Sequence, residues 1–293
     1  MKKEDITFIF TGHNIKWFMV IAAESLIYNS QIDRSQILIF DDESTDGTRE
    51  EFERRGMKVI TWDKETYNAF HKLDNALKLH PSIRVSMLLT SAWKQAEGKY
   101  LCFLDGDTAY YDDFVGRLLE MINKYGSEED LLFGIKRKYE PTLGKFEIMH
   151  QYFNYNVYQR TMLCDKERLG KYRVCGENIK TMKMLYDEFE TDFIKWYETF
   201  TILYNELHEK NVPHTLIPYK GKEYQNLMEK TEHLSWVSSS MRYSLWNESS
   251  DQREYIVDCL ETPNFKRLCD VLCVDINVMI DTYLSNYQKS GPY

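Results

Sequence analysis

Lys99-Tyr100-Leu101-Cys102-Phe103-Leu104-Asp105-Gly106-Asp107 decides the fold class, because a short apolar run passes directly into two carboxylates flanking a glycine. Tyr100 to Leu104 is aromatic and aliphatic without helical spacing, which predicts a strand covered on both faces of a sheet. Asp105 and Asp107 then fall at its carboxyl end, the edge where open α/β sheets place their ligands. Hard oxygen donors there suit a magnesium- or manganese-like ion, which in turn would hold substrate phosphates. Asp-Gly is also ordinary turn chemistry, so the stretch alone is equally compatible with a polar turn closing a strand.

Upstream, Ile6 to Thr11 is a β-branched and aromatic run that predicts a first strand ending at Gly12-His13-Asn14. Lys16 to Tyr28 carries Phe18, Ile21, Ala22, Ser25 and Leu26 at helical spacing, with Asn29-Ser30 as its stop. Gln36 to Phe40 predicts the second strand, and the acidic loop Asp41-Asp42-Glu43-Ser44-Thr45-Asp46-Gly47-Thr48 leads into a helix through Arg55. Met57 to Trp62 predicts a third strand. This alternation implies parallel pairing with right-handed crossovers. The spacing between Asp63 and Ser82 is weakly helical; Arg84 to Glu97 predicts a helix closed by Gly98. Beyond the acidic pair, Asp112 to Lys124 reads as an amphipathic helix and Asp130 to Ile135 as a strand, followed by a basic, aromatic stretch from Lys136 to Arg160.

The chain of 293 residues is 43% hydrophobic and 28% charged, which fits a folded protein with ample core. With 46 acidic against 37 basic residues and a net charge of -9, a general nucleic-acid-coating role is disfavoured. Aromatic residues make up 14%, a content that serves packing first and stacking on bases or sugars second. Cys102, Cys164, Cys175, Cys259, Cys269 and Cys273 form no CxxC pair and no zinc-ligand spacing, so they read as reduced, mostly buried thiols. The N-terminal residues lack the apolar region of a signal peptide and no window is long enough to span a bilayer, which gives a cytoplasmic expectation without a transmembrane segment.

Four stretches together resemble a family 2-type glycosyltransferase with a GT-A fold. His13-Asn14 stands where that family usually has Tyr-Asn, and Asp41 to Thr48 resembles its Asp-Asp-x-Ser-x-Asp-x-Thr signature. Ala96-Glu97-Gly98-Lys99-Tyr100 through Asp107 resembles its Ala-x-Gly-x-Tyr run into an Asp-x-Asp motif. Val157-Tyr158-Gln159-Arg160 with Leu169-Gly170-Lys171-Tyr172 resembles its arginine-bearing strand and Gly-x-Phe turn, and Glu190-Thr191-Asp192-Phe193 precedes a long helix and a late strand, Thr215 to Pro218. The likeness spans roughly residues 5 to 218. The chain departs from the family at Thr90-Ser91-Ala92, where Asn-x-Gly is usual, and at Thr191-Asp192, where Glu-Asp is usual. It also lacks a Gln-x-x-Arg-Trp motif, which disfavours a processive synthase and fits a single-transfer enzyme.

The resemblance implies an α/β, Rossmann-like, mostly parallel sheet flanked by helices, with a catalytic domain over 1–220 and a helical extension over 221–293. Residues 1–110 would form the nucleotide-sugar half and 111–220 the acceptor half. It implies a metal-dependent, inverting transfer of a sugar from a nucleoside diphosphate sugar, a UDP-sugar by preference, to an acceptor hydroxyl. Mn2+ or Mg2+ would be held by Asp107 and Asp105, with His233 completing the shell; Asp105 has ribose contact as its alternative. Asp42 would accept from the base, Asp41 would support it, and Thr11, His13, Asn14 and Arg242 would contact the nucleotide. Helix capping is the competing use of Asp41 and Asp42, although Asp46 already suits that task. Asp192 would be the catalytic base with Glu190 in reserve, while the same carboxylates also suit a helix N-terminus. His233 read by itself, as a lone histidine, is a packing or surface residue.

The acceptor expected is a glycan, protein or small molecule, approached along Lys136 to Tyr139, Tyr152, Phe153, Tyr155 and Tyr158, with aromatic packing of the domain as the competing use of these residues. A modified base in DNA is the alternative that the Lys136-Arg137-Lys138 patch keeps open. A non-catalytic nucleotide-sugar-binding protein and a nucleotidyltransferase are the other readings, the latter weakened by the poor phosphate loop at Gly12 to Lys16. The tail shows apolar spacing at Tyr255, Ile256, Cys259 and Leu260 and again at Leu268, Val271, Leu272 and Ile276. It suits capping of the acceptor side, dimerisation or partner contact, and the sequence chooses neither among these nor an oligomeric state.

Overall fold

A computed structural model describes residues 1–72, 81–127, 132–136, 162–167, 215–218, 231–233 and 263–290. Along the first half of the chain run β1 (Ile6–Gly12), α1 (Lys16–Ser30), β2 (Ile37–Asp41), α2 (Thr48–Arg54), β3 (Lys58–Ile60), α3 (Lys64–His71), α4 (Pro81–Gln95), β4 (Tyr100–Asp105), β5 (Thr108–Tyr110) and α5 (Phe114–Tyr125). They are followed by β6 (Leu132–Lys136), β7 (Met162–Asp165), β8 (Thr215–Pro218), β9 (Thr231–His233), α6 (Pro263–Leu272) and α7 (Ile276–Ser290). The α/β class expected from the alternating pattern is observed.

The chain forms two compact units, one of which comprises Phe8–Ile60, Leu104–Leu118 and Leu227–Tyr293. Here β2 pairs in parallel with β1 and with β3. Phe8, Ile9 and Phe10 and Ile37 to Phe40 are buried without alternation, as befits strands covered on both faces. The β1–β2 register sets Gly12 opposite Asp41, so both strands end at one edge.

Helix α1 differs from its expected single apolar face. Phe18 to Leu26 are all buried, because α1 packs against both β5 and α6. Its polar residues serve the neighbouring backbone: Tyr110 N–H donates to Ser25 Oγ at 3.0 Å, Asn29 Nδ2 donates to the Tyr110 carbonyl at 2.6 Å, and Val115 N–H donates to Ser30 Oγ at 3.2 Å. Buried polar groups must find such partners. Glu24, also buried, accepts both Arg34 Nη groups at 2.6 and 2.8 Å and Arg55 Nη1 at 3.1 Å, tying α1 to the residue that follows α2. The helix runs on to Ser30 and stops at Gln31, which adopts the left-handed conformation. In the tail, Leu268, Cys269, Leu272, Met279 and Ile280 are buried while Val271 is exposed, and Trp17 Nε1 donates to Thr282 Oγ1 at 3.3 Å. The expected apolar positions 255–260 lie outside the described residues.

The other unit comprises Met1–Thr7, Thr61–Phe103 and Leu119–Asn226. Asp63 caps α3, accepting the N–H groups of Glu65 and Thr66 at 3.1 Å each. Trp62 lies beyond β3 and stacks on Phe70 with ring centroids 5.2 Å apart. Helix α4 begins earlier than expected, at Pro81, whose missing N–H costs nothing in a first turn. The strand order is β4-β7-β6-β8, with β6 and β8 parallel and β7 antiparallel to both β4 and β6. Strand β7 begins at Met162, just beyond Val157–Arg160, where the resemblance implied a strand. Its far end is fixed to the start of β4, where Lys166 N–H donates to the Lys99 carbonyl at 2.9 Å and Trp93 Nε1 donates to the Lys166 carbonyl at 3.1 Å.

Candidate functional site

The carboxyl ends of β1 and β2 are laced together by backbone and side-chain hydrogen bonds. Asp42 N–H donates to the Gly12 carbonyl at 3.0 Å, and His13 Nδ1 donates to the Asp42 carbonyl at 2.6 Å. Asn14 N–H donates to Ser44 Oγ at 3.0 Å, and Thr45 N–H returns to Asn14 Oδ1 at 2.8 Å. Lys16 N–H donates to Asp46 Oδ2 at 2.9 Å, while Lys16 Nζ reaches the Asp46 carbonyl at 2.7 Å. Two loops separated by a whole helix therefore form one edge.

The three aspartates of the second loop have different duties. Asp46 Oδ1 accepts Thr48 N–H at 3.0 Å at the start of α2 while Oδ2 takes the first N–H of α1, so this residue does the helix capping. Asp41, only 5% exposed, accepts Ser44 N–H on Oδ1 at 3.0 Å and has Arg49 Nε 3.9 Å from Oδ2. Asp42 is only 3% exposed and is used by its neighbours through its main chain. Glu43 follows with φ 58, a left-handed kink that carries the chain away from the strand direction.

The acidic turn after β4 reaches the same edge. A Cβ built on Gly106 would stand 2.6 Å from the Thr11 carbonyl and 3.1 Å from Met19 Cγ, so only glycine allows the turn to lie on the end of β1. Asp107 is half-buried. In the two-stranded β5–β9 ladder, Thr108, the residue after Asp107, is in antiparallel register with His233.

Thr11, His13, Asn14, Asp41, Asp42 and the Asp105-Gly106-Asp107 backbone thus belong to one unit, as does the His233 backbone. The side chains of Asp105 and His233, and Glu190, Asp192 and Arg242 altogether, lie outside the described residues. The same holds for the basic aromatic stretch beyond Lys136 and for Val157–Arg160 and Leu169–Tyr172. Ser44, Thr45 and Lys16 had no role assigned from the sequence, because their partners lie about thirty residues away in the other loop.

Among the described residues no group of three or more His, Cys, Asp or Glu side chains is placed to hold a metal ion, and no helix is long and apolar enough to cross a membrane. Asp105, Asp107 and His233 are of residue types that supply hard oxygen and borderline nitrogen donors, chemistry that suits Mg2+ or Mn2+.

No protein-family model matches the chain, and no curated protein matches it. Among solved structures, glucosyl-3-phosphoglycerate synthase of Mycobacterium tuberculosis matches with a TM-score of 0.38 at 16% identity, over 55% of this chain and 57% of that one. The same enzyme in complex with Mn2+, uridine-diphosphate and phosphoglyceric acid matches with a TM-score of 0.37 at 15% identity, over 55% and 56%. Mouse xyloside xylosyltransferase 1 in its apo form matches with a TM-score of 0.46 at 12% identity, over 72% and 84%. The match spans little more than half the length of the mycobacterial enzyme. These solved structures are GT-A-type glycosyltransferases.

Proposed function

We propose that the chain is a metal-dependent, inverting glycosyltransferase of the GT-A type, moving a sugar from a nucleoside diphosphate sugar to an acceptor hydroxyl on a glycan, protein or small molecule. A UDP-sugar is the preferred donor. One observation carries this reading: two acidic strand ends meet in a single unit, with Asp41-Asp42 laced to the Gly12–Lys16 loop and the Asp105-Gly106-Asp107 turn seated on the Thr11 carbonyl.

In this reading Asp42 accepts from the nucleotide base, and Asp41, already engaged with Ser44 N–H, holds the loop that presents it. The Thr11 to Asn14 loop borders the nucleotide, and Arg242 pairs with the diphosphate. Asp107, Asp105 and His233 would hold Mn2+ or Mg2+, which when bound offsets the negative charge developing on the departing diphosphate. Asp192 takes the acceptor proton, with Glu190 as the reserve base. Residues 1–220 form the catalytic domain and 221–293 its extension.

The test is turnover of a panel of UDP-sugars in the presence of Mn2+ and a panel of hydroxyl-bearing saccharide, peptide and small-molecule acceptors, read as released UDP, in the wild type and in Asp192→Asn. Release from one donor, with UDP binding kept and transfer lost in the variant, is expected. An active Asp192→Asn would move the base to Glu190 or indicate a retaining reaction. Binding of UDP without turnover of any donor would favour a nucleotide-sugar-binding protein.

A further inference from the structure

The loops after β1 and β2 are joined by a side-chain relay whose two ends are backbone groups of fixed sense. At one end the Asp42 carbonyl can only accept, and His13 Nδ1 lies 2.6 Å away, so Nδ1 carries the proton. At the other end Thr45 N–H can only donate, and it meets Asn14 Oδ1 at 2.8 Å. That contact fixes the amide and turns its NH2 group toward His13. Asn14 Nδ2 stands 2.9 Å from His13 Nε2, which must therefore be the bare, accepting nitrogen. Both ring nitrogens are committed, and the tautomer follows from the two backbone ends.

We infer that His13 is a positioning residue, held by Asn14 as the Nδ1–H tautomer, and that it sets the Asp42 main chain against the β1 loop instead of contacting a ligand through its ring nitrogens. The consequence for nucleotide binding rests on the function proposed above; the tautomer does not. Asn14 suits the task doubly. Its φ of 54 lies in the left-handed region that asparagine tolerates, and its own N–H is anchored on Ser44 Oγ at 3.0 Å. Tyrosine, which the resembled family usually has at position 13, has no ring nitrogen and could not pass a hydrogen bond from Asn14 to Asp42 in this way.

Long-range nitrogen–proton correlation spectra of the histidine side chains near neutral pH test the inference on the ligand-free protein. In the wild type His13 shows a protonated Nδ1 and a bare Nε2. Asn14→Asp keeps a residue that tolerates the backbone and an acceptor for Thr45 N–H, but it replaces the donor beside Nε2 with an acceptor, so Nε2 becomes protonated. An Nε2–H tautomer in the wild type, or an unprotonated Nε2 in Asn14→Asp, would overturn the assignment. The positioning role is read with UDP and Mn2+ as the probe. His13→Asn keeps an N–H near the Nδ1 position and His13→Gln moves it outward, so His13→Gln binds UDP more weakly than His13→Asn by about tenfold. Equal or reversed affinities would overturn the role. Wild-type protein that binds no UDP would instead remove the nucleotide reading, leaving the tautomer to be decided by the spectrum.

Discussion

Thr108 stands opposite His233 in the antiparallel β5–β9 ladder. A strand from late in the chain is thereby brought beside the residue that follows Asp107, and both strands belong to one unit. If His233 completes the metal shell, His233→Ala weakens Mn2+-dependent UDP binding by at least about tenfold, the scale on which metal sites respond to lost support. Calorimetric titration with and without Mn2+ checks this. An unchanged affinity would return His233 to a packing role.

Gly106 is a tight point of the edge, with room for no side chain between the acidic turn and the Thr11 carbonyl. The methyl group of Gly106→Ala must push the turn off the end of β1. The expected cost is about 1–3 kcal/mol, as for other overpacked sites, with loss of UDP binding. Urea unfolding measures the first effect and titration the second. Wild-type stability in this variant would mean that the turn lies less closely on Thr11.

The apolar strands and acidic loops of this edge were legible in the sequence because their determinants are local. Ile6 to Thr11 is a continuous β-branched and aromatic run and Ile37 to Phe40 a continuous apolar one, and the observed strands differ from the expected ones by a residue or so. The resemblance also brought Asp41, Asp42 and the Asp105-Gly106-Asp107 turn together, and in the fold they share a unit. What the sequence hid was set by distant partners. Helix α1 is buried almost all round because α6 packs on it, although α6 begins at Pro263. Strands β5, β7 and β9 are too short to show a period and exist through their pairing. The lacing by Ser44, Thr45 and Lys16 depends on two loops meeting in space, which no spacing within either loop reveals.

Asp63 links stability to pH. Burial acts to raise its carboxyl, but hydrogen bonds from Thr66 and Ser91 and the charge of Lys94 more than offset this and hold it below its ordinary value of 3.8. A group depressed in the folded state contributes stability above its unfolded value, and that contribution is lost as pH falls through the folded value. Asp63→Asn keeps a capping side chain and removes the charge. The stability difference from wild type, read from urea midpoints, should therefore be constant near neutral pH and shrink below about pH 4. A difference that does not vary with pH would contradict the assignment.

The described cysteines separate sharply by environment. Burial pushes the Cys102 thiol far above its ordinary value, and burial with the nearby Asp270 charge pushes Cys269 up to about 12, whereas Cys273 is exposed. The thiolate is the reactive form. Iodoacetamide at mildly alkaline pH should therefore modify Cys273 in the native protein and spare Cys102 and Cys269 until urea unfolds it. Peptide mapping by mass spectrometry reads the result; early modification of Cys102 would contradict its burial in β4.

The central claim is that the two acidic strand ends form one site for a metal-bridged nucleoside diphosphate. It is tested most directly by thermal unfolding of the wild type and of Asp107→Asn with UDP, with Mn2+, and with both. A ligand that binds the folded state raises its melting temperature by mass action. The wild type should be stabilised by UDP only when Mn2+ is present, and Asp107→Asn should lose that increment while melting normally without ligand. No stabilisation of the wild type by UDP with Mn2+, or an undiminished increment in Asp107→Asn, would contradict the claim.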